Sequence, residues 1–105
     1  MAGVEDAVVV EQEGPRARIA VRGEVDIATC PGLDDTIVSI VRAGVDVLEI
    51  DLSGVTFMGS SGLASLLRAQ RLAVEGGGGV RLLRPSQVVR DLLEMTRLLD
   101  RFEID

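Results

Sequence analysis

TFMGSSGLASLL, residues 56–67, marks the point where the chain turns from strand-like to helix-like. Apolar residues recur at Leu63, Leu66 and Leu67, at the spacing of one helix face. Two glycines, Gly59 and Gly62, bracket a pair of small hydroxyls, Ser60 and Ser61. A helix is expected to start at Ser60 or Ser61. The simplest local role for a serine there is a cap, whose oxygen accepts a backbone N–H of the first turn. One serine suffices for that, which leaves the other hydroxyl free. A helix start also accommodates a phosphate, because its unpaired N–H groups and the helix dipole favour negative charge.

The segment before it, VDVLEIDL (45–52), alternates. Leu48, Ile50 and Leu52 share one face, and Val47, Glu49 and Asp51 the other, which is the period of a strand. Upstream, AVVVE (7–11) and ARIAVR (17–22) read as two strands joined through EGP (13–15), with Pro15 fixing the turn. GEVD (23–26) ends the second. A helix follows, capped by Thr29 or Cys30, with Pro31 in its first turn. Asp34 and Asp35 near that turn suit the helix dipole. Leu33, Ile37, Ile40 and Val41 form its apolar stripe, and Gly44 is its stop. Downstream, the second helix buries Leu63, Leu66, Leu67 and Val74 and ends at the glycines 76–79. VRLL (80–83) is a strand. A third helix begins at Pro85–Ser86. Its expected core stripe is Val88, Leu92, Met95 and Leu99, with Arg90, Asp91, Glu94 and Arg97 in water. RFEI (101–104) adds a last short strand.

The element order is β-β-α-β-α-β-α(-β). An antiparallel start followed by alternation implies βαβ crossovers and a largely parallel sheet. Functional loops of such sheets lie at the carboxyl ends of strands. The segment 56–62 occupies that position.

The chain has 105 residues, 47 % hydrophobic and 27 % charged, with two Phe and neither Trp nor Tyr. That fits a single domain, 1–105, with an aliphatic core. The net charge is −6, so the concentrated basic face needed for nucleic acid is not expected. Histidine is absent, which removes His-based acid–base chemistry, Ser-His-Asp triads and His-ligated metals. No Lys follows the GSSG glycine as in a P-loop, and the pattern is not a G-x-S-x-G elbow. Asp26 reads as a turn or capping residue, Glu49 and Asp51 as a polar strand face, and Cys30 as a small buried residue. No cofactor or metal is expected. The N-terminus lacks the basic start and apolar stretch of a signal peptide, and no run reaches the ~20 apolar residues that span a bilayer. These features point to a cytoplasmic protein without a membrane partner.

DLSGVTFMGSSGLASLL (51–67) resembles the signature loop of STAS domains, named for sulfate transporters and anti-sigma factor antagonists. GEVD (23–26) is similar to the family's G-E-(apolar)-D segment, and the third helix, with Phe102 beyond it, to the family's C-terminal helix. The resemblance covers nearly the whole chain. It implies an α/β STAS-like fold: a mixed, mostly parallel sheet of four to five strands with about three to four helices. It also implies the bacterial antagonist type, a binding protein and not an enzyme. Ser60 then matches the phosphoacceptor, Ser61 and Gly62 the rest of the loop, and Asp26 an acidic position on the same surface. The implied partners are an anti-sigma factor, often a serine-protein kinase that phosphorylates this serine, and a serine phosphatase that reverses it. The family commonly carries Asp before the phosphoacceptor, and here that residue is Gly59. Its loss removes a carboxylate from the partner-facing loop and motivates a second reading. In that reading the chain is a non-phosphorylated STAS adaptor within a larger regulatory or transport-ATPase complex. In a third reading the chain is an enzyme or a small-ligand binder, with the phosphate of a nucleotide held at the same helix start.

Overall fold

The computed structural model describes residues 8–105, so Ala7, the first residue of the expected strand 7–11, lies outside the described residues. Strand β1 (Val8–Glu13) pairs antiparallel with β2 (Arg16–Val25). Gly14 makes their two-residue turn at φ +61, the left-handed value that hairpin turns require at their first central residue. Then follow α1 (Cys30–Arg42), β3 (Val47–Met58), α2 (Ser60–Glu75), β4 (Gly79–Leu83), α3 (Gln87–Met95), a 3-10 turn (Leu99–Arg101) and β5 (Glu103–Ile104). The sheet order is β1-β2-β3-β4-β5, with β2 to β5 mutually parallel. This is the expected α/β order with the final strand present.

Each crossover steps the same way across the sheet. Right-handed connections therefore put all three helices on one face. Side chains at the helix contacts agree: Asp34 of α1 meets Arg68 of α2 at 2.8 Å, and the Gln70 amide of α2 donates to the Arg101 carbonyl. Beneath the helices, Ala17, Ile19 and Val21 of β2 join Leu48, Ile50 and Leu52 of β3 and Val80 and Leu82 of β4 in one core.

Strand β3 is longer than its alternation. Against β2 it takes an extra residue twice, between Ala20/Arg22 and between Gly23/Glu24. Such bulges change which face a residue meets. After Leu52 the buried positions become Val55 and Met58, a step of three instead of two. Residues 56–58, expected in a loop, belong to the strand.

Two helix faces also differ from expectation. Val74 of α2 is 59 % exposed, and the small residues Ala69 and Ala73 pack inward instead. On α3 the buried residues are Val89 and Leu93. Val88 and Met95 of the expected core stripe are 39 % and 78 % exposed, and Leu92 and Leu99 are only half-buried. The helix ends at Met95 and the chain reverses at Arg97, φ +59, so Leu99 lies beyond it. On α1 the acids are not in the first turn, and Asp34 serves the link to Arg68.

The helix-free face is held by charge. Glu11, Arg18, Glu49, Arg81 and Glu103 stand in one register row across all five strands, alternating in sign. Cross-strand pairs of opposite charge support a sheet. Glu49, 5 % exposed, meets Arg18 at 3.2 Å and Arg81 at 3.8 Å. One row on, the Asp51 carboxylate accepts the Ser53 N–H at 2.9 Å and the Arg84 guanidinium. Burial alone would push its pKa up, but these two donors outweigh burial and hold the carboxyl below its ordinary 3.8.

A carboxyl with a lowered folded-state pKa stabilises the fold above its unfolded pKa, and that contribution is lost as pH falls through the folded value. Urea denaturation should therefore show stability declining below pH 3.8, with Asp51→Asn less stable at neutral pH but less acid-sensitive. Within the glycine run, a Cβ on Gly78 would stand 1.7 Å from the Asp46 carbonyl oxygen, whereas one on Gly79 meets nothing within 4 Å. Gly78→Ala should cost at least about 1–3 kcal/mol as overpacking, and Gly79→Ala within about 0.5 kcal/mol, both read by the same titration.

Candidate functional site

Met58 ends β3 and Ser60 begins α2, so the expected loop shrinks to one residue, Gly59. Its N–H donates to the Val25 carbonyl at 3.0 Å, which ties the joint to the end of β2. Gly59 is the helix N-cap in extended backbone, φ −90 and ψ −177, without a side-chain cap. The capping reading of the serines is thereby corrected: Ser60 is the first helical residue, and neither hydroxyl caps α2. The N–H groups of Ser60, Ser61 and Gly62 have no carbonyl one turn earlier to bond, as at any helix start.

The side chain of Ser60 faces solvent, Ser61 is half-buried and Gly62 is buried. A Cβ on Gly62 would lie 2.7 Å from Met58 Cγ and 2.8 Å from Val25 Cγ1. Only a glycine lets the first turn of α2 sit against the ends of β2 and β3. Gly59 is under no such constraint: its φ is negative, and a Cβ there would make ordinary contact with the Phe57 ring at 3.6 Å. A Cβ is therefore accommodated at 59, and neither the backbone nor contact at Cβ demands a glycine there.

Asp26 belongs to the turn between β2 and α1. Its carboxylate accepts the N–H of Ala28 at 3.0 Å and of Thr29 at 3.2 Å, while its own N–H donates to Thr29 Oγ1 at 2.9 Å. This reciprocal arrangement caps the approach to α1 and matches the turn-forming reading. It also holds Asp26 beside Val25, the partner of Gly59. The two segments that the sequence singled out, 23–26 and 59–62, therefore meet at one rim of the sheet. Cys30 is buried in the core at the start of α1.

Two residues of this rim escaped sequence reasoning. Ile27 is 81 % exposed and Phe57 is 49 % exposed. Phe57 is the penultimate residue of β3, and Ile27 lies in the turn after β2. The available signal was Phe57 itself, one of two aromatics in the chain. Among the described residues no cluster of three or more metal-ligating side chains exists, and no helix is long and apolar enough to cross a membrane.

Comparison with known proteins bears on the whole chain. The sequence profile of the family described as Mlab, STAS domain, matches residues 8–102. The anti-sigma-B factor antagonist of Bacillus subtilis is 29 % identical over 97 residues, covering 92 % of this chain and 88 % of that protein. The crystal structure of an anti-sigma factor antagonist from Mycobacterium paratuberculosis aligns with a TM-score of 0.82 at 29 % identity, over 92 % of this chain and 82 % of the other. The phosphorylated form of SpoIIAA, a Bacillus cell fate determinant, shares the fold at a TM-score of 0.77 and 22 % identity, over 94 % of this chain and 91 % of the other. The profile match, with the element order and the 59–62 helix start, shows that this chain belongs to the STAS domain family.

Proposed function

We propose that this protein is an anti-sigma factor antagonist. It binds an anti-sigma factor and so frees a sigma factor for transcription. Phosphorylation of Ser60 ends the association, with the anti-sigma factor acting as the serine kinase and a serine phosphatase restoring the active form. The protein itself is a cytoplasmic binding module of one domain and not an enzyme. The observation that carries this reading is Ser60: a solvent-facing hydroxyl on the first residue of an uncapped helix, at the carboxyl end of a parallel strand. The names of the relatives from Bacillus subtilis and Mycobacterium paratuberculosis support the antagonist class.

The physics of the switch is local. A phosphate on Ser60 adds ~1.5–2 negative charges. The free N–H groups and the helix dipole tolerate that charge, so the fold survives modification. A partner surface fitted to a neutral hydroxyl at this helix start loses its fit. Asp26, Gly59 and Ser61 supply the surrounding contacts, and Gly62 contributes by holding the turn in place.

Gly59 favours a second reading, since the carboxylate that commonly precedes the phosphoacceptor is missing although a Cβ is accommodated at that position. In that reading the same rim binds constitutively, as a non-phosphorylated adaptor of a larger regulatory or transport-ATPase complex.

Affinity for the anti-sigma partner, measured by calorimetry with and without ATP, separates the two. The switch predicts that Ser60→Ala binds like wild type but is not released by ATP, and that Ser60→Glu binds at least about tenfold more weakly, on the order of 1.4 kcal/mol. Equal affinity of all three proteins would sink the switch and leave the adaptor.

A further inference from the structure

We infer that a second contact surface runs down the outward face of α2 and receives an acidic amphipathic helix of a partner protein. Ala64, Leu67, Arg71 and Val74 lie at i, i+3, i+7 and i+10 along α2. With Arg101 of the 3-10 turn as the opposite wall, they line an open groove of about 560 Å³. The Gln70 side chain donates to the Arg101 carbonyl and so fixes that wall to the helix.

The floor of the groove is apolar and wet. Val74 is 59 % exposed, and it is the residue that sequence periodicity assigned to the core. Helix α2 thus carries a second apolar stripe besides the Leu63–Leu66–Ala69–Ala73 stripe it buries. The rim is basic. Arg68 is paired with Asp34 at 2.8 Å, but Arg71 and Arg101 have no ion pair among the described residues. Three arginines and no acid line the groove, in a chain of net charge −6 where acids outnumber arginines 17 to 11. Unpaired guanidinium groups beside an apolar floor fit an occupant that offers both apolar and carboxylate side chains.

Its α2 wall runs from Ala64 to Val74, ten steps of helix or roughly 15 Å at 1.5 Å per residue. That length accepts about three turns of a docked helix, whose anchors recur at i, i+3 or i+4, and i+7. No strand edge borders it, so addition of a peptide strand is excluded. An anionic membrane is disfavoured because the acidic remainder of the molecule would be repelled. The groove also begins one turn below Ser60, since residues four apart share a helix face. An occupant that fills its upper end meets Ser60, and a phosphate there would oppose its acidic side. Only this last coupling rests on the proposed switch.

The test is photo-crosslinking in the host cell, with p-benzoylphenylalanine placed at position 74 in the groove and, as control, at position 88 on the outward face of α3. Position 74 is expected to crosslink to one segment of another protein, identified by peptide mass spectrometry. That segment should be acidic with apolar residues at helical spacing. Arg71→Glu combined with Arg101→Glu should cut the adduct at least tenfold with circular dichroism and melting unchanged; Arg71→Gln with Arg101→Gln, a milder pair, should cut it less. No adduct, equal adducts at 74 and 88, a lipid, a second copy of this chain, a non-acidic segment, or indifference to charge reversal would each overturn the groove. Ser60→Glu in the same assay keeps the readings apart. If it leaves the adduct intact while charge reversal removes it, the groove stands and the coupling to Ser60 fails. The opposite pattern overturns the groove alone.

Discussion

The contact on which the site depends is the approach of the first turn of α2 to the ends of β2 and β3. It is permitted by one missing side chain. With a methyl group at Gly62, Met58 and Val25 would be met at 2.7 and 2.8 Å, and the helix start would have to lift away. Seated there, α2 follows β3 after a single residue, and Gly59 bonds the Val25 carbonyl. The short joint has two consequences. It leaves no loop to fold over the helix start, and it makes Ser60 the first helical residue with its hydroxyl in water. The glycine of the motif is thus explained by packing, and the exposure of the serine follows from it.

The one-sided arrangement of the helices sets the second constraint. A sheet covered on one face must keep the other compatible with water while both faces of β3 carry close neighbours. The answer is the row of alternating charges through Glu49, which is paired with arginines from both adjoining strands. Asp51 and Arg84 repeat the device beside it. Here the acids pair with arginines across the sheet, which agrees with reading Glu49 and Asp51 as a polar strand face.

The element order, the parallel crossovers and the 59–62 helix start were legible because each rests on local chemistry: alternation, helical spacing, glycine and proline. The misreadings have physical causes. Alternation stopped at Leu52 because the β3 bulges move the next buried residues to Val55 and Met58, and a period of two cannot follow an inserted residue. On α3, two neighbouring stripes compete, Val88–Leu92–Met95 and Val89–Leu93. The longer one was chosen because it continued to Leu99, but the chain turns at Arg97 before reaching it. On α2, large side chains outweighed small ones in the reading, although close packing favours Ala69 and Ala73. A cap was the simplest local role for one of the two serines because that is the usual task of a hydroxyl at a helix start. Nothing local tells the N-cap from the next residue, and the extended backbone of Gly59 decides it. Ile27 and Phe57 had no periodicity to report them, since what sets them apart is their exposure near the ends of β2 and β3.

At the centre of the functional reading is Ser60 as a phosphorylated switch. Its most direct test is site-localised mass spectrometry of the protein isolated from its own host during growth and under stress. The switch predicts a phosphoryl group on Ser60, and not on Ser61, whose occupancy changes between the two conditions. Protein that stays unmodified in both would contradict it and leave the rim around Gly59 as a constitutive binding surface.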